Sequence, residues 1–142
     1  MIRIGIDCGV NTGFAVAENG ALLRVESLTI TKAMEAVKDL HSKYKNIVVR
    51  IEDARKRTWF GNADTRQARS GAGIREGVGS VKRDCSIWEQ FCIEQGIKYD
   101  LVHPAANATK TKSDYFKKIT GWSGRTNEHS RDAAMLVYGR TK

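Results

Sequence analysis

The sequence predicts one mixed α/β domain. Three observations carry that expectation: apolar runs of strand period near the start, helix-period segments interleaved with further strands, and a length of 142 residues with no linker that would divide it. Residues 2–8 place Ile2, Ile4 and Ile6 on one strand face and Arg3, Gly5 and Asp7 on the other, a half-buried strand that ends at Asp7. Phe14, Val16 and Glu18 mark a second strand. Asn19-Gly20, the strongest two-residue hairpin signal, turns it into a third over residues 21–30, so the first three strands run antiparallel. Thr31 is positioned to cap a helix whose stripe runs through Met34, Val37, Leu40 or His41, and Tyr44, closing near Lys45-Asn46. Residues 47–51 form a β-branched run of the kind buried inside a sheet, and it terminates in Glu52 and Asp53.

Residues 54–72 carry no apolar period and read as a long solvent-exposed loop or a loosely ordered helix start; loops of that length in compact domains are usually functional. Ile74, Val78, Val81, Cys85, Trp88 and Cys92 then step by three and four along the longest helix, which Gly96 ends. Residues 97–102 give a fifth strand, His103-Pro104 breaks it, residues 113–120 form a short helix, and Thr126 or Asn127 caps a last helix reaching Tyr138. The whole of 1–142 is thus expected to be one domain, a five-stranded mixed sheet flanked by helices.

Composition narrows the function. A formal charge of +8 biases encounter toward polyanions such as nucleic acid. One proline and the lack of low-complexity runs argue against disorder, and no apolar run approaches the roughly 20 residues of a membrane span. The N-terminus lacks a secretory pattern, so a soluble cytoplasmic protein is expected. Cys8, Cys85 and Cys92 are odd in number and form no Cys-x-x-Cys pair; buried reduced thiols are expected, without a disulfide framework or structural zinc.

The chemistry lies in the acids. Asp7 and Glu52 both close apolar strands, and His129 and Asp132 stand three residues apart on one side of the last helix, followed by Ala133 and Ala134, small enough to let that helix approach the sheet. Gathered carboxylates repel one another unless a cation neutralises them, and hard oxygen donors suit Mg²⁺ or Mn²⁺. Two such ions roughly 3.5 to 4 Å apart can activate water and stabilise the leaving oxygen of a phosphodiester. Basic residues surround the acids in sequence: Arg55, Lys56, Arg57, Arg66, Arg69, Arg75, Lys82 and Arg83 give residues 55–83 a local excess of +6, and Lys110 and Lys112 begin a second group with Lys117 and Lys118. Trp59 and Phe60, inside the first run, either anchor the loop on the core or stack on unpaired bases.

With these residues in view, the chain resembles the RuvC-like Holliday-junction resolvases of the ribonuclease H-like superfamily. The resemblance rests on Ile4-Gly5-Ile6-Asp7-Cys8-Gly9 with Thr12-Gly13, on Val49-Arg50-Ile51-Glu52, and on His129-Ser130-Arg131-Asp132-Ala133-Ala134, in that order along most of the chain. It implies the ribonuclease H-like fold, with Asp7, Glu52, His129 and Asp132 holding two Mg²⁺ ions per active site, Mn²⁺ substituting, and Asp53 as a substitute or outer group. It implies no organic cofactor. The implied activity is that of a crossover junction endodeoxyribonuclease, resolving four-way DNA junctions by paired symmetric nicks in recombination, repair or phage DNA processing. Arg55, Lys56, Arg57, Trp59, Phe60, Arg66, Arg69, Lys110 and Lys112 are the expected DNA contacts. The resemblance also implies a homodimer, with the long helix as the expected subunit contact, and the short chain looks like a compact phage or prophage version at work in a bacterial or phage-infected cytoplasm.

Other readings stay open on the sequence. The same acids serve a nuclease acting on RNA–DNA hybrids or flaps, and the fold with a basic face would serve a non-catalytic module that binds branched DNA. The Asp7-Cys8-Gly9 hairpin also resembles the first phosphate loop of the actin and sugar-kinase ATPases, which need two such domains.

Overall fold

A strand whose Ile2, Ile4 and Ile6 can pack into a core is stable with a neighbour on each side, and the computed structural model places β1 (Ile2–Asp7) in the middle of the sheet. The structure describes residues 1–56, 72–104 and 111–141, of which 72–78 by backbone alone. β2 (Asn11–Glu18) and β3 (Ala21–Thr29) follow β1 as an antiparallel meander, while β4 (Ile47–Glu52) and β5 (Lys98–Val102) lie parallel to it on the other side. The order across the sheet is β3-β2-β1-β4-β5, the mixed five-stranded sheet the sequence predicts. Asn19 and Gly20 both take positive φ, 49° and 87°, as a tight hairpin turn between twisted strands requires.

Helices cover both faces. α1 (Ile30–Lys43) and α2 (Ala72–Gln95) pack on Ile2, Ile4, Ile6, Phe14, Val16, Ile47, Val49 and Ile51, with Ala33, Val37, Cys85, Trp88 and Cys92 as the helical half of that core. Of the predicted stripe on α2, Cys85, Trp88 and Cys92 are buried and Val81 packs against them; the side chains of Ile74 and Val78 lie outside the described residues. Trp88 is fully enclosed and meets Phe91 edge to face at 5.6 Å between ring centroids. On the other face, α3 (Ser113–Thr120) and α4 (Glu128–Met135) cover Ala15, Ala17 and Val25 with Phe116, Ala133 and Ala134.

This second layer corrects the reading of β1 as half-buried. Arg3 is only 6% exposed, because α4 and the turn after it lie over the face that carries Arg3, Gly5 and Asp7. The Arg3 guanidinium donates to the Arg140 carbonyl at 2.8 Å, and Arg50 and Arg140 both donate to the Leu136 carbonyl, at 2.8 and 3.0 Å. Cations at the carbonyl end of a helix satisfy orphan acceptors and oppose the helix dipole. Periodicity along one strand cannot register a layer supplied by residues more than a hundred positions away.

Helix boundaries move by a few residues. Thr29, not Thr31, caps α1 by accepting from the Lys32 N–H at 3.3 Å, so β3 stops at Thr29 and α1 closes at Lys43. Asn127 caps α4, and Ser130 returns the bond to the Asn127 N–H at 2.9 Å, completing a capping box. α4 ends at Met135 rather than Tyr138, and β5 begins at Lys98.

Candidate metal centre

Parallel register does the first part of the assembly. Asp7 on β1 pairs with Glu52 on β4, so the last residues of two adjacent strands stand side by side at one edge of the sheet. Both follow the parity of Gly5, and Gly5 lies under α4. The helix sits unusually close. A Cβ on Gly5 would strike the Ala133 carbonyl and one on Gly13 would strike the His129 carbonyl, so only glycine at both positions admits α4 to this depth.

That approach delivers His129. Its Nδ1 lies 3.1 Å from Asp7 Oδ2, a hydrogen bond in the tautomer that carries the proton on Nδ1. The imidazole is half exposed, at 50%, against 17% for Asp7. Asp132 follows on the same side of α4, buried at 6% exposure. Asp7, Glu52 and His129, together with Cys8, Ala54, Val81 and Pro104, line a cleft of about 180 Å³. A larger hollow of about 520 Å³ opens at the other end of the sheet between the Asn19-Gly20 turn and Trp122, and its lining holds no carboxylate.

The donor set fits a hard divalent cation in kind: carboxylates from two strands and an acid and imidazole from one helix. Among the described residues, no three histidine, cysteine or carboxylate side chains are drawn as close together as a bound ion would hold them. Strong mutual repulsion among carboxylates opposes that closeness without a cation.

Beneath Glu52 the structure is thiol rather than acid. Cys8 and Cys85 both point their sulfurs at the Glu52 carbonyl oxygen, at 3.9 and 3.5 Å. The Cys8 thiol is pushed up by its hydrogen bond with Cys85, by burial, and by the charges of Cys85, Asp7 and Asp84. All three cysteines are free and buried, as the sequence predicts.

Two of the expected DNA contacts bond within the chain: Arg55, which is partly buried, and Lys56, which is exposed. Arg55, in the 3₁₀ turn Ala54–Lys56, grips Asp53 with both arms, Nε to Oδ1 at 2.7 Å and Nη2 to Oδ2 at 3.1 Å, and reaches Glu89 at 2.9 Å and Ser86 at 3.2 Å on α2. Lys56 donates to the Leu101 carbonyl at 2.8 Å. Asp53, expected as a substitute or outer group, is here held by Arg55. It is buried on the α2 side, and the Arg55 bonds and the Arg55 and Lys56 charges outweigh the burial that would raise its pKa, holding it below the usual carboxylate range. Sequence reading missed this network because Ser86 and Glu89 lie more than thirty residues from Arg55. Lys112 is exposed at the start of α3. Arg57, Trp59, Phe60, Arg66, Arg69 and Lys110 lie outside the described residues, as does the side chain of Arg75.

No protein-family model and no curated protein matches the chain in sequence. Solved structures do match in shape. RuvC of Thermus thermophilus in complex with a Holliday junction substrate superposes with a TM-score of 0.59 at 17% identity, over 96% of this chain and 90% of that one. A second Thermus thermophilus RuvC structure gives 0.54 at 15% identity, with the same coverage. The order β3-β2-β1-β4-β5, the helices on both faces and these superpositions agree: in fold the chain is RuvC-like, of the ribonuclease H-like class.

Proposed function

We propose that the protein is a metal-dependent, structure-selective endodeoxyribonuclease that resolves four-way DNA junctions. The observation that carries this reading is the register of Asp7 with Glu52 at the strand ends, with His129 of α4 laid against Asp7 and Asp132 on the same side of that helix. The fold it shares with a RuvC solved on a Holliday junction supports branched DNA as the substrate.

Asp7, Glu52, His129 and Asp132 would hold two Mg²⁺ or Mn²⁺ ions, which when bound supply an activated water and charge stabilisation at the scissile phosphodiester. The chain's own residues prepare for that. Asp7 and Glu52 hold two negative charges at a fixed spacing set by the backbone ladder, and the imidazole of His129 orients the Asp7 carboxylate through Nδ1. Asp132 contributes its charge from a buried position, where Coulomb interactions are weakly screened. Lys112 and the basic residues of the 57–71 segment draw in the phosphate backbone. Two copies of the chain would present two such centres to the symmetry-related strands of a junction, with α2 as the contact between them. The setting proposed is recombination, repair or phage DNA processing in a bacterial or phage-infected cytoplasm.

The test is cleavage of labelled four-way junction, matched linear duplex and RNA–DNA hybrid with Mg²⁺, wild type beside Asp7→Asn. Paired junction nicks that vanish in Asp7→Asn, with junction binding retained, are expected. Cleavage of the hybrid with an inert junction would overturn the substrate and keep the acids; tight junction binding without any cleavage would make the protein a binding module.

A further inference from the structure

Two acids stand next to each other at the end of β4, and a metal centre built on the strand end needs only one of them. We infer that Arg55 is the positioning residue that makes this choice: it draws the Asp53 carboxylate to the α2 side of the sheet and leaves Glu52 alone to serve the centre. The inference rests on the proposed metal-dependent reading of Asp7, Glu52, His129 and Asp132.

The strand geometry begins the separation. Val49 and Ile51 pack into the core shared with α1 and α2, and Asp53 continues that parity, whereas Glu52 has the parity of Arg50, whose side chain reaches Leu136 just beyond α4. β4 ends at Glu52, however, so alternation does not bind Asp53. Contacts do. The Asp53 N–H donates to the Val102 carbonyl at 2.8 Å, and its Oδ1 accepts from the Arg55 backbone N–H at 3.0 Å as well as from the guanidinium. Arg55 is held in turn by Glu89, whose other oxygen accepts from the Tyr99 hydroxyl at 2.9 Å. The chain of bonds joins the end of β4, the 3₁₀ turn, α2 and β5. Asp53 is 2% exposed, and a carboxylate there is tolerable only while paired. Without Arg55, Asp53 would be released to turn toward the centre that Glu52, the preceding residue, would help to form.

The consequence is specific. In Arg55→Ala the freed Asp53 adds a carboxylate to the centre, so Mn²⁺ binds more tightly while the ions are drawn off the geometry that cleaves. Removing the stray charge, in Asp53→Asn with Arg55→Ala, restores both properties. A phosphate-contacting arginine would behave otherwise, weakening DNA binding with the salt slope reduced by about one unit. A merely bracing arginine would weaken metal binding and cleavage together.

Three measurements decide it on wild type, Arg55→Ala and the double variant: Mn²⁺ titration calorimetry without DNA, junction affinity in Ca²⁺, and cleavage against Mg²⁺ concentration. The expected result is Mn²⁺ affinity at least threefold tighter in Arg55→Ala, kcat at least tenfold lower and junction affinity within twofold, with the double variant back within threefold of wild type on all three. Weaker Mn²⁺ binding in Arg55→Ala, junction affinity lost tenfold, or a double variant that folds and stays impaired would each overturn the inference. If Arg55→Ala does not fold, the double variant, which orphans no buried charge, decides alone against wild type. Should the wild type cleave none of the substrates, the proposed activity fails by itself and the calorimetry still tests Arg55.

Discussion

Glu52 and Asp53 are neighbours in sequence with opposite surroundings, and the difference has a pH signature. Asp53 has a folded pKa below its ordinary value of about 3.9, because the Arg55 bonds and the Arg55 and Lys56 charges outweigh the cost of burial. In the window between the folded and unfolded values the unfolded chain binds more protons, so stability rises with pH there. The contribution is complete above about pH 5 and is lost as pH falls through 3.9 toward the folded value. Asp53 faces Arg55 and Lys56, with Glu89 behind Arg55. Urea unfolding of metal-free protein between about pH 6 and 2.5 should therefore show a shallower acid decline in Asp53→Asn than in wild type; parallel declines would remove Asp53 from the acid response. At this scale the sequence was legible where a residue's role follows from its own strand. Asp7 and Glu52 could be read as strand-terminal acids from seven residues each. Arg55 could not, because a basic residue after a strand reads as a solvent-facing charge until Asp53, Ser86 and Glu89 are seen around it.

At the scale of elements, the decisive contact is α4 against β1 and β2. Its closeness depends on Gly5 and Gly13, and Gly13→Ala places a methyl group where the His129 carbonyl stands. Overpacking of this kind costs about 1 to 3 kcal/mol or more, and here it also lifts His129 away from Asp7. Gly13→Ala is expected to lower the denaturation midpoint and to abolish cleavage. Gly79→Ala is the contrast: it lies within α2 with nothing among the described residues within 4 Å of the added carbon, and should raise stability by up to about 1 kcal/mol. Equal effects at the two glycines would contradict the close approach of α4. Ala133 and Ala134 made that approach readable in the sequence, and the glycines beneath them completed it. The caps were less readable, since Thr29 and Thr31 both offer a hydroxyl before the same apolar stripe and only the end of β3 selects between them.

For the whole molecule the relevant quantity is charge. An excess of +8 over 142 residues biases the chain as a whole toward polyanions. Junction affinity should fall at least tenfold between about 50 and 200 mM salt, with log K linear in log salt, as counterion release requires. A flat dependence would separate binding from the basic residues. The fold as a whole was legible: strand count, the antiparallel start, helix order and the buried stripe of α2 follow from periods of two and 3.6. What periodicity omits is stacking, and so the Arg3 face of β1 read as open to water until α4 covered it.

The centre draws on residue 7 at one end of the chain and residues 129–132 at the other. In chain order the strands that carry Asp7 and Glu52 precede α4, so the two acids can pair before the helix that brings His129 and Asp132 is made. Competence for cutting a phosphodiester would thus arrive in a single late event, the docking of one eight-residue helix. A chain ending before Glu128 carries two of the three acids and none of the imidazole that orients Asp7, so on the proposed reading it would not cleave.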